Sequence, residues 1–292
     1  MERIRKALDL ARLERDRAYP PGTVVAPPGA MPAPPSVAIA PPDSEAAPSS
    51  GPEVAHAAAP AIVYTQTRVF KADPDSLERN RIFTSAATAP AATAFRMLRT
   101  QVMQRMDAHG WRSIAVFSPN ANDGKTTTAI NLAASLAGDR LHTVLLVDLD
   151  FTHPTIATRF GLSPEFGSDD AMMGAAKLED CLYHPEGFDR LVLMPARATL
   201  ADSSEILAGP RSRQLVTELR ARYPERILVF DLPPVLTADD ALAFSPQVDC
   251  GLIVAAEGRT RRNNLVRTVE LLAKVPLVGT VLNRAADVPS GY

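Results

Sequence analysis

The feature that most constrains the fold of this chain is a polar loop between two apolar segments near its middle. Residues 117–128 read Phe-Ser-Pro-Asn-Ala-Asn-Asp-Gly-Lys-Thr-Thr-Thr; an apolar run precedes them, and an apolar helical pattern over 129–137 follows. A strand, a loop that ends in Gly-Lys-Thr and a helix form the context that a phosphate-binding loop requires. Backbone N–H groups of such a loop and the N-terminus of its helix face an anion.

The end of this loop carries the residues with specific expected roles. Lys125 can reach the β- and γ-phosphates of a nucleotide, and the Thr126 hydroxyl can ligate Mg²⁺. The usual pattern begins with Gly where Pro119 stands, and Pro can serve there at a φ of about −65°. The alternative is an ordinary polar loop between a strand and a helix. We predict nucleotide contacts from Asn122, Asp123, Gly124, Lys125, Thr126 and Thr127.

Composition argues against several classes of partner. The 292 residues carry a net charge of −2, which indicates neither nucleic acid nor an anionic membrane as a main partner. Cys181 and Cys250 are far apart and form no metal-binding or redox spacing, as is typical of a reducing cytoplasm. No apolar run approaches the ~20 residues that span a bilayer. We therefore expect no transmembrane segment, and membrane association only through a partner or a surface helix.

Four segments follow from the distribution of charge and proline. Residues 1–18 read as an amphipathic helix, which is either solvated or a docking helix for a partner. Residues 19–61 form a Pro/Ala-rich linker that we expect to be disordered, because it has too little apolar surface to order itself. We predict the folded domain over 62–285 and a flexible tail over 286–292.

Strands and helices alternate through the predicted domain. Apolar strands separated by helices indicate an α/β fold with a doubly wound, mostly parallel sheet, whose ligands bind at the carboxyl ends of the strands. The predicted strands are 64–70 at an edge, 113–117, 143–148, 190–194, 227–231, 251–255 and 277–282. The predicted helices are 75–83 with Asp75 as its cap, 93–106 ending before Gly110, 126–137, 205–208, 212–222, 238–244 and 262–274.

Carboxylates follow two of these apolar strands. Asp148 and Asp150 stand at the end of one strand, and Asp231 ends another in the form of a Walker B strand. Such carboxylates can hold Mg²⁺ directly or through water, and one can accept a proton from an attacking oxygen. The alternative is that they are turn or helix-capping residues, since Asp is common at strand ends.

Two further residues are weaker candidates. Asn283 ends the last predicted strand, and its amide offers the donor and acceptor that suit an adenine edge, although a loop Asn is an equal alternative. Tyr292 is the last residue, and a mobile tail could carry it into a neighbour's active site. Neither residue alone indicates a function.

Taken together, these residues resemble the bacterial tyrosine kinases of exopolysaccharide and capsule synthesis, of the CpsD and CapB type. That family uses a P-loop ATPase fold related to the division-site and partitioning ATPases. The resemblance rests on the order of short motifs at residues 95–100, 124–127, 147–150, 204–207, 231–234, 239–241, 248–249 and 281–283.

The resemblance implies a role for each site residue. Lys125 and Thr126 would bind phosphates and Mg²⁺, and Asp231 would hold the metal. Asp148 would also bind Mg²⁺ and assist deprotonation of the tyrosine hydroxyl, with Asp150 in support. Asn283 would contact adenine.

The resemblance also implies a setting for the reaction. A C-terminal tyrosine of a neighbouring subunit is the acceptor, here Tyr292, which implies a homo-oligomer. A transmembrane chain-length or co-polymerase protein is the usual activator, so we expect this chain in the cytoplasm, at the inner face of the membrane through that partner.

The sequence departs from the family pattern at several positions. Thr93 stands where the family has Glu, and Thr152 and His153 stand where it has two arginines. Asn120 occupies the place of the signature lysine of the division ATPases, which argues against that branch.

The function that we predict is an ATP- and Mg²⁺-dependent protein tyrosine autokinase that regulates exopolysaccharide or capsule polymerisation and export. One alternative is a kinase-weak nucleotide-binding switch of the polysaccharide polymerase. The other is a partitioning-type positioning ATPase.

Overall fold

A computed structural model of the protein describes residues 67–84, 87–139 and 142–285. The predicted helix at 1–18, the predicted linker at 19–61 and the predicted tail at 286–292 lie outside these residues, as does the beginning of the predicted domain. In the described ranges, none of the helices combines the length and the apolar character needed to cross a membrane.

One sheet organises the described residues. Its strands are Arg68–Phe70 (β1), Ser113–Phe117 (β2), Thr143–Asp148 (β3), Tyr183–Pro185 (β4), Leu191–Met194 (β5), Arg226–Asp231 (β6), Cys250–Ala256 (β7) and Leu277–Asn283 (β8). They are arranged in the order β1-β4-β5-β3-β6-β2-β7-β8. Neighbouring strands are parallel except for the pair β4 and β5. The predicted α/β, mostly parallel architecture is confirmed.

Helices connect the strands. They are Pro74–Arg79 (α1), Pro90–His109 (α2), Lys125–Ala137 (α3), Ile156–Arg159 (α4), Ser168–Met173 (α5), Ser203–Ala208 (α6), Pro210–Arg222 (α7), Asp240–Phe244 (α8) and Arg262–Leu271 (α9). Short 3₁₀ helices follow at Leu178–Cys181 and Ser245–Gln247.

Both faces of the sheet are covered by apolar side chains. Ile114 and Val116 of β2 pack in one buried cluster with α3, whereas Ala115 and Phe117 pack in a second cluster with α7. This alternation follows from the pleat of a strand, whose successive side chains point to opposite faces. Burial of each large apolar side chain contributes about 1.5–3 kcal/mol, so the two clusters hold the central strands firmly.

The central strands agree with the sequence prediction to within one residue at each end. The first helix differs from it. Helix α1 begins at Pro74, and Asp73 rather than Asp75 caps it, because the Asp73 carboxylate accepts the Ser76 N–H at 3.1 Å. Proline is favoured at the first helical position, which places the cap one residue earlier in the chain. Helix α2 runs from Pro90 to His109, three residues longer at each end than the predicted 93–106, and Gly110, with a φ of 69°, caps it as predicted.

Besides the 3₁₀ helix at Leu178–Cys181, three short elements between β3 and β5 have no counterpart in the prediction. They are α4, α5 and β4. Strand β4 has only three residues and ends in proline, yet it pairs with β1 in parallel and with β5 in antiparallel orientation. Elements this short carry no periodic pattern, so tertiary contacts decide their conformation.

The strand order brings the candidate residues to one edge of the sheet. Strand β6 lies between β2 and β3, and Asp148 is directly paired with Asp231 in the register of β3 and β6. The loop that follows β2 leads into α3. The carboxyl ends of these three strands therefore converge beside the Gly-Lys-Thr turn.

Asp249 links the amino ends of β2 and β7, at the opposite end of these strands from the Gly-Lys-Thr turn. Its carboxylate accepts the backbone N–H groups of Arg112 and Ser113, each at 2.9 Å, and pairs with the Arg220 guanidinium at 3.0 Å. Burial acts to raise the pKa of Asp249, but the donated hydrogen bonds and the charge of Arg220 outweigh it and hold the pKa below its ordinary value.

We expect Asp249→Asn to reduce the amount by which acid lowers the free energy of unfolding. A carboxyl whose pKa is lowered by folding contributes stability above its unfolded pKa of about 3.9, and this contribution is lost as the pH falls through the folded pKa. Chemical denaturation at neutral pH and in acid would measure the difference. The variant should lose less stability on acidification than the wild type, and the exposed Asp239→Asn control should behave like the wild type. Equal acid sensitivity of wild type and Asp249→Asn would contradict this role.

Candidate nucleotide-binding site

The loop between β2 and α3 takes a conformation that its sequence allows. Gly124 has a φ of 96° and Asn122 a φ of 65°. Glycine adopts positive φ without steric cost, and Asn is among the other residues that tolerate it best. Gly124 also has no room for a side chain, because an added Cβ would overlap with Nδ2 of Asn283.

Side chains within the loop fix its shape. The buried Asp123 carboxylate accepts the Asn120 backbone N–H at 3.0 Å and its side-chain amide at 3.2 Å. Asn264 of α9 donates to the Asn120 side-chain oxygen at 2.8 Å. The hydrogen bonds of Asp123 and Asn120 thus hold the backbone conformation that would contact phosphates. The Asn120 side chain is engaged in hydrogen bonds within the protein.

Asn283 straps the loop from the end of β8. Its Nδ2 donates to the Asp123 carbonyl at 3.0 Å, while its Oδ1 accepts the Arg284 N–H at 2.9 Å. The Arg284 guanidinium also donates to the Asn122 carbonyl at 3.2 Å. These contacts give Asn283 a positioning role in the loop, and the predicted adenine contact stays a prediction.

Lys125 lies at the centre of a buried cluster of charges. Its Nζ is 2.8 Å from Oδ1 of Asp231 and 3.3 Å from Oδ2 of Asp150, and the Lys125 residue is only 5% exposed. Burial disfavours the ammonium, but the charges of Asp231 and Asp150 outweigh burial and hold the pKa of Lys125 above its ordinary value. The structure thus brings Lys125 together with carboxylates from β6 and from the end of β3.

Asp148 lies next to this cluster and faces the backbone of α4. Its carboxylate accepts the N–H of Thr155 at 3.2 Å, of Ile156 at 3.1 Å and of Asp150 at 3.2 Å, and the residue is fully buried. Burial, with the neighbouring charge of Asp231, raises the pKa of Asp148 to about 8, against the opposing effect of the Ile156 hydrogen bond. Asp148 therefore anchors the start of α4.

Asp150 is the carboxylate that lines the open cleft. Its Oδ1 accepts the Thr152 hydroxyl at 2.7 Å and the His153 N–H at 3.1 Å, while its other oxygen faces Lys125. The two aspartates of the predicted pair therefore differ in environment, which their spacing in the sequence did not indicate.

A cleft of about 520 Å³ opens above the loop. Its walls include Lys125, Thr126 and Thr127 from the start of α3, Asp150 and Arg159 from the β3 side, and Pro234 after β6. A volume of this size fits a small-molecule ligand. The prediction missed Arg159, because an isolated arginine at the end of a four-residue helix carries no sequence signal.

The donor set fits a magnesium-bound phosphate. Thr126 supplies a hydroxyl beside the cluster, and the buried Oδ2 of Asp231 has no hydrogen-bond partner among the described residues. In the same residues, no group of three or more His, Cys, Asp or Glu side chains forms a ready metal site. The protein would thus give only part of the shell of Mg²⁺, which usually keeps water and phosphate oxygens as its other ligands.

The loop, its lysine and the Walker B aspartate have a counterpart in a known family. The ParA family model, described as NUBPL iron-transfer P-loop NTPase, matches residues 111–288. The chain belongs to the ParA family of P-loop NTPases.

The relatives of this chain include proteins that are named bacterial tyrosine kinases. Tyrosine-protein kinase YwqD of Bacillus subtilis is 26% identical over 209 residues, which cover 71% of this chain and 86% of that protein. Succinoglycan biosynthesis transport protein ExoP of Rhizobium meliloti is 30% identical over 218 residues, covering 70% of this chain but 26% of ExoP. The kinase domain of Escherichia coli tyrosine kinase ETK is 25% identical with a TM-score of 0.63, covering 79% of this chain and 89% of that domain.

These relatives confirm the predicted resemblance to the bacterial tyrosine kinases of polysaccharide synthesis. The match to ExoP spans about a quarter of that protein, so most of ExoP lies outside the aligned region. The roles of the individual site residues in this chain stay predictions.

We expect Asn283→Ala to loosen the loop in the nucleotide-free protein. The variant loses the hydrogen bond to the Asp123 carbonyl that straps the loop to β8, so backbone amides of residues 120–124 should exchange faster with solvent deuterium. Hydrogen exchange read by mass spectrometry would measure this. Thr280→Ala, at an exposed position of the same strand, serves as the control and should leave the loop unchanged. Unaltered exchange in Asn283→Ala would remove the basis for its positioning role.

Proposed function

We propose that this chain is an ATP- and Mg²⁺-dependent protein tyrosine autokinase that regulates exopolysaccharide or capsule polymerisation and export. One observation carries the proposal. The ammonium of Lys125 lies between Asp150 and Asp231 in the wall of a cleft large enough for a small-molecule ligand, in a chain whose relatives include tyrosine kinases.

Phosphoryl transfer depends mainly on positioning of the reacting groups and on stabilisation of their charge, and we assign both to residues of this site. Amides of the loop at 120–124 and the N-terminus of α3 would bind phosphate oxygens. Lys125 would exchange one of its carboxylate contacts for the γ-phosphoryl group and stabilise the charge that develops there. Of the three predicted metal ligands, Thr126 and Asp231 would hold Mg²⁺, which would neutralise phosphate charge when bound. The predicted contact of Asp148 with the metal stays a prediction.

The acceptor tyrosine needs a carboxylate within reach of its hydroxyl. Asp150 lines the cleft, so it is the residue that a substrate hydroxyl would meet first. Asp148 would support the step from behind, because its carboxyl group fixes the start of α4. Both residues stay catalytic in this proposal, but their roles are exchanged relative to the prediction: Asp150 rather than Asp148 would meet the acceptor hydroxyl.

The setting of the reaction is also part of the proposal. The acceptor would be Tyr292 of a neighbouring subunit in a homo-oligomer, and the activator a membrane chain-length or co-polymerase protein. ExoP, named as a transport protein, is much longer than the aligned region, which supports a kinase that acts beside a transport partner. The chain would act in the cytoplasm at the inner face of the membrane through that partner.

A kinase-weak nucleotide switch is the second candidate, and one observation favours it. Thr93 stands where related kinases are expected to have Glu, and the Arg96 guanidinium donates to Thr93 Oγ1 at 2.7 Å and to the Ala87 carbonyl at 2.9 Å. Arg96 is thus engaged within its own subunit. A positioning ATPase has less support, because Asn120 replaces the lysine of that branch and bonds within the loop.

We expect Lys125→Met to abolish phosphotyrosine on the purified protein. Methionine keeps most of the side-chain volume but removes the ammonium that would stabilise the transferred phosphoryl group, so the rate should fall by about 100-fold or more. Mass spectrometry after incubation with Mg²⁺-ATP would detect the modified tyrosine.

Two further variants complete this experiment. Lys274→Met, at an exposed position after α9, should retain wild-type phosphorylation, and Tyr292→Phe should bind ATP but lose the modification at the tail. Phosphotyrosine on Lys125→Met at the wild-type level would refute the kinase assignment. ATP binding by the wild type without phosphotyrosine would favour the switch.

A further inference from the structure

Arg159 places a second cation in the cleft. It is the last residue of α4 and lines the same cavity as Lys125. Its Nη1 donates to Thr127 Oγ1 at 2.9 Å, and its Nε lies 3.3 Å from Thr155 Oγ1. Thr127 is two residues beyond Lys125 in the first turn of α3. The guanidinium is therefore held against the helix terminus where phosphate groups are expected.

The charge of Arg159 is available to a ligand, in contrast to that of Lys125. Lys125 is neutralised by Asp150 and Asp231, whereas Arg159 forms no ion pair with any carboxylate of the described ranges. Its two hydrogen bonds are to neutral hydroxyl groups. A cation that lines a cleft and lacks a protein anion is suited to bind an anionic ligand.

The backbone that carries Arg159 is fixed to the catalytic edge of the sheet. Asp148 accepts the N–H groups of Thr155 and Ile156 and so joins the start of α4 to the end of β3. The Asn80 side chain contacts the Arg159 carbonyl at 3.4 Å. Because these contacts hold α4, ligand binding would cost little additional conformational entropy of the side chain or the backbone.

We propose that Arg159 is a second phosphate-binding residue of this cleft and contacts a phosphate oxygen of a bound nucleoside diphosphate or triphosphate. The planar guanidinium matches the geometry of phosphate oxygens and can donate two hydrogen bonds in parallel. The inference rests on the proposed nucleotide binding and adds a residue outside the Gly-Lys-Thr turn. Lys125 would serve the terminal phosphates, while Arg159 would hold the phosphates beside Thr127.

ADP binding to the full chain tests this proposal. Arg159→Gln removes the charge and Arg159→Lys keeps the charge but not the fork; Arg267→Gln is the control, since Arg267 is exposed on α9 and pairs with Glu270. Calorimetry at low and high ionic strength would give Kd, and a thermal melt without ligand would report on folding. Arg159→Gln should weaken ADP binding by roughly 10- to 100-fold, as expected for a charge-assisted hydrogen bond. Arg159→Lys should lose about 3- to 10-fold.

The salt dependence separates a phosphate contact from a structural role. Raising the salt concentration should weaken ADP binding less in Arg159→Gln than in the wild type, because one cation no longer faces the ligand. If Arg159→Gln does not fold, Arg159→Lys gives the test. Arg159 variants that bind ADP within twofold of a binding-competent wild type overturn the inference and leave the nucleotide proposal intact. A weaker Kd with unchanged salt dependence also overturns it. A wild type that does not bind ADP overturns the nucleotide proposal itself.

Discussion

The interaction on which the site depends is the buried contact of Lys125 with Asp231 and Asp150. An ammonium that is 5% exposed and a carboxylate that is fully buried are stable only together, because each alone would lose its hydration without compensation. Removing one partner of such a pair usually costs about 3–5 kcal/mol. The cluster therefore constrains three parts of the chain at once, namely the Gly-Lys-Thr turn and the ends of β3 and β6.

The sheet satisfies this constraint through its strand order. Because β6 lies between β2 and β3, the acidic ends of β3 and β6 converge beside the loop that follows β2. The positive φ of Gly124 turns the chain into α3 at this point, and Asn283 holds the turn from β8. The same edge carries α4, since Asp148 accepts its first N–H groups, so Arg159 enters the cleft as a consequence of how Asp148 is buried.

The sequence predicted the parts of the molecule that a periodic or motif signal specifies. Apolar runs such as Thr143–Asp148 are long enough to give the central strands to within a residue, and the Gly-Lys-Thr turn identified the site. It could not predict β4 or α4, which are three and four residues long, because elements this short carry no periodic pattern and depend on tertiary contacts. The sequence also did not distinguish the buried Asp148 from the cleft-lining Asp150, and it did not indicate Arg159. Residue spacing does not show which side chains are buried or which elements lie close together in the fold.

The central claim is that this cluster is a binding site for a nucleotide's phosphates together with Mg²⁺. Calorimetric titration of the full chain with ADP, in the presence of Mg²⁺ and then with the metal chelated, tests it most directly. We expect saturable binding of one ADP per chain that weakens when Mg²⁺ is removed. The Asp231 oxygen that has no hydrogen-bond partner among the described residues, and the Thr126 hydroxyl, would then lack the ion that joins them to the phosphates. The absence of any heat of binding in both conditions, with the protein folded, would contradict the account.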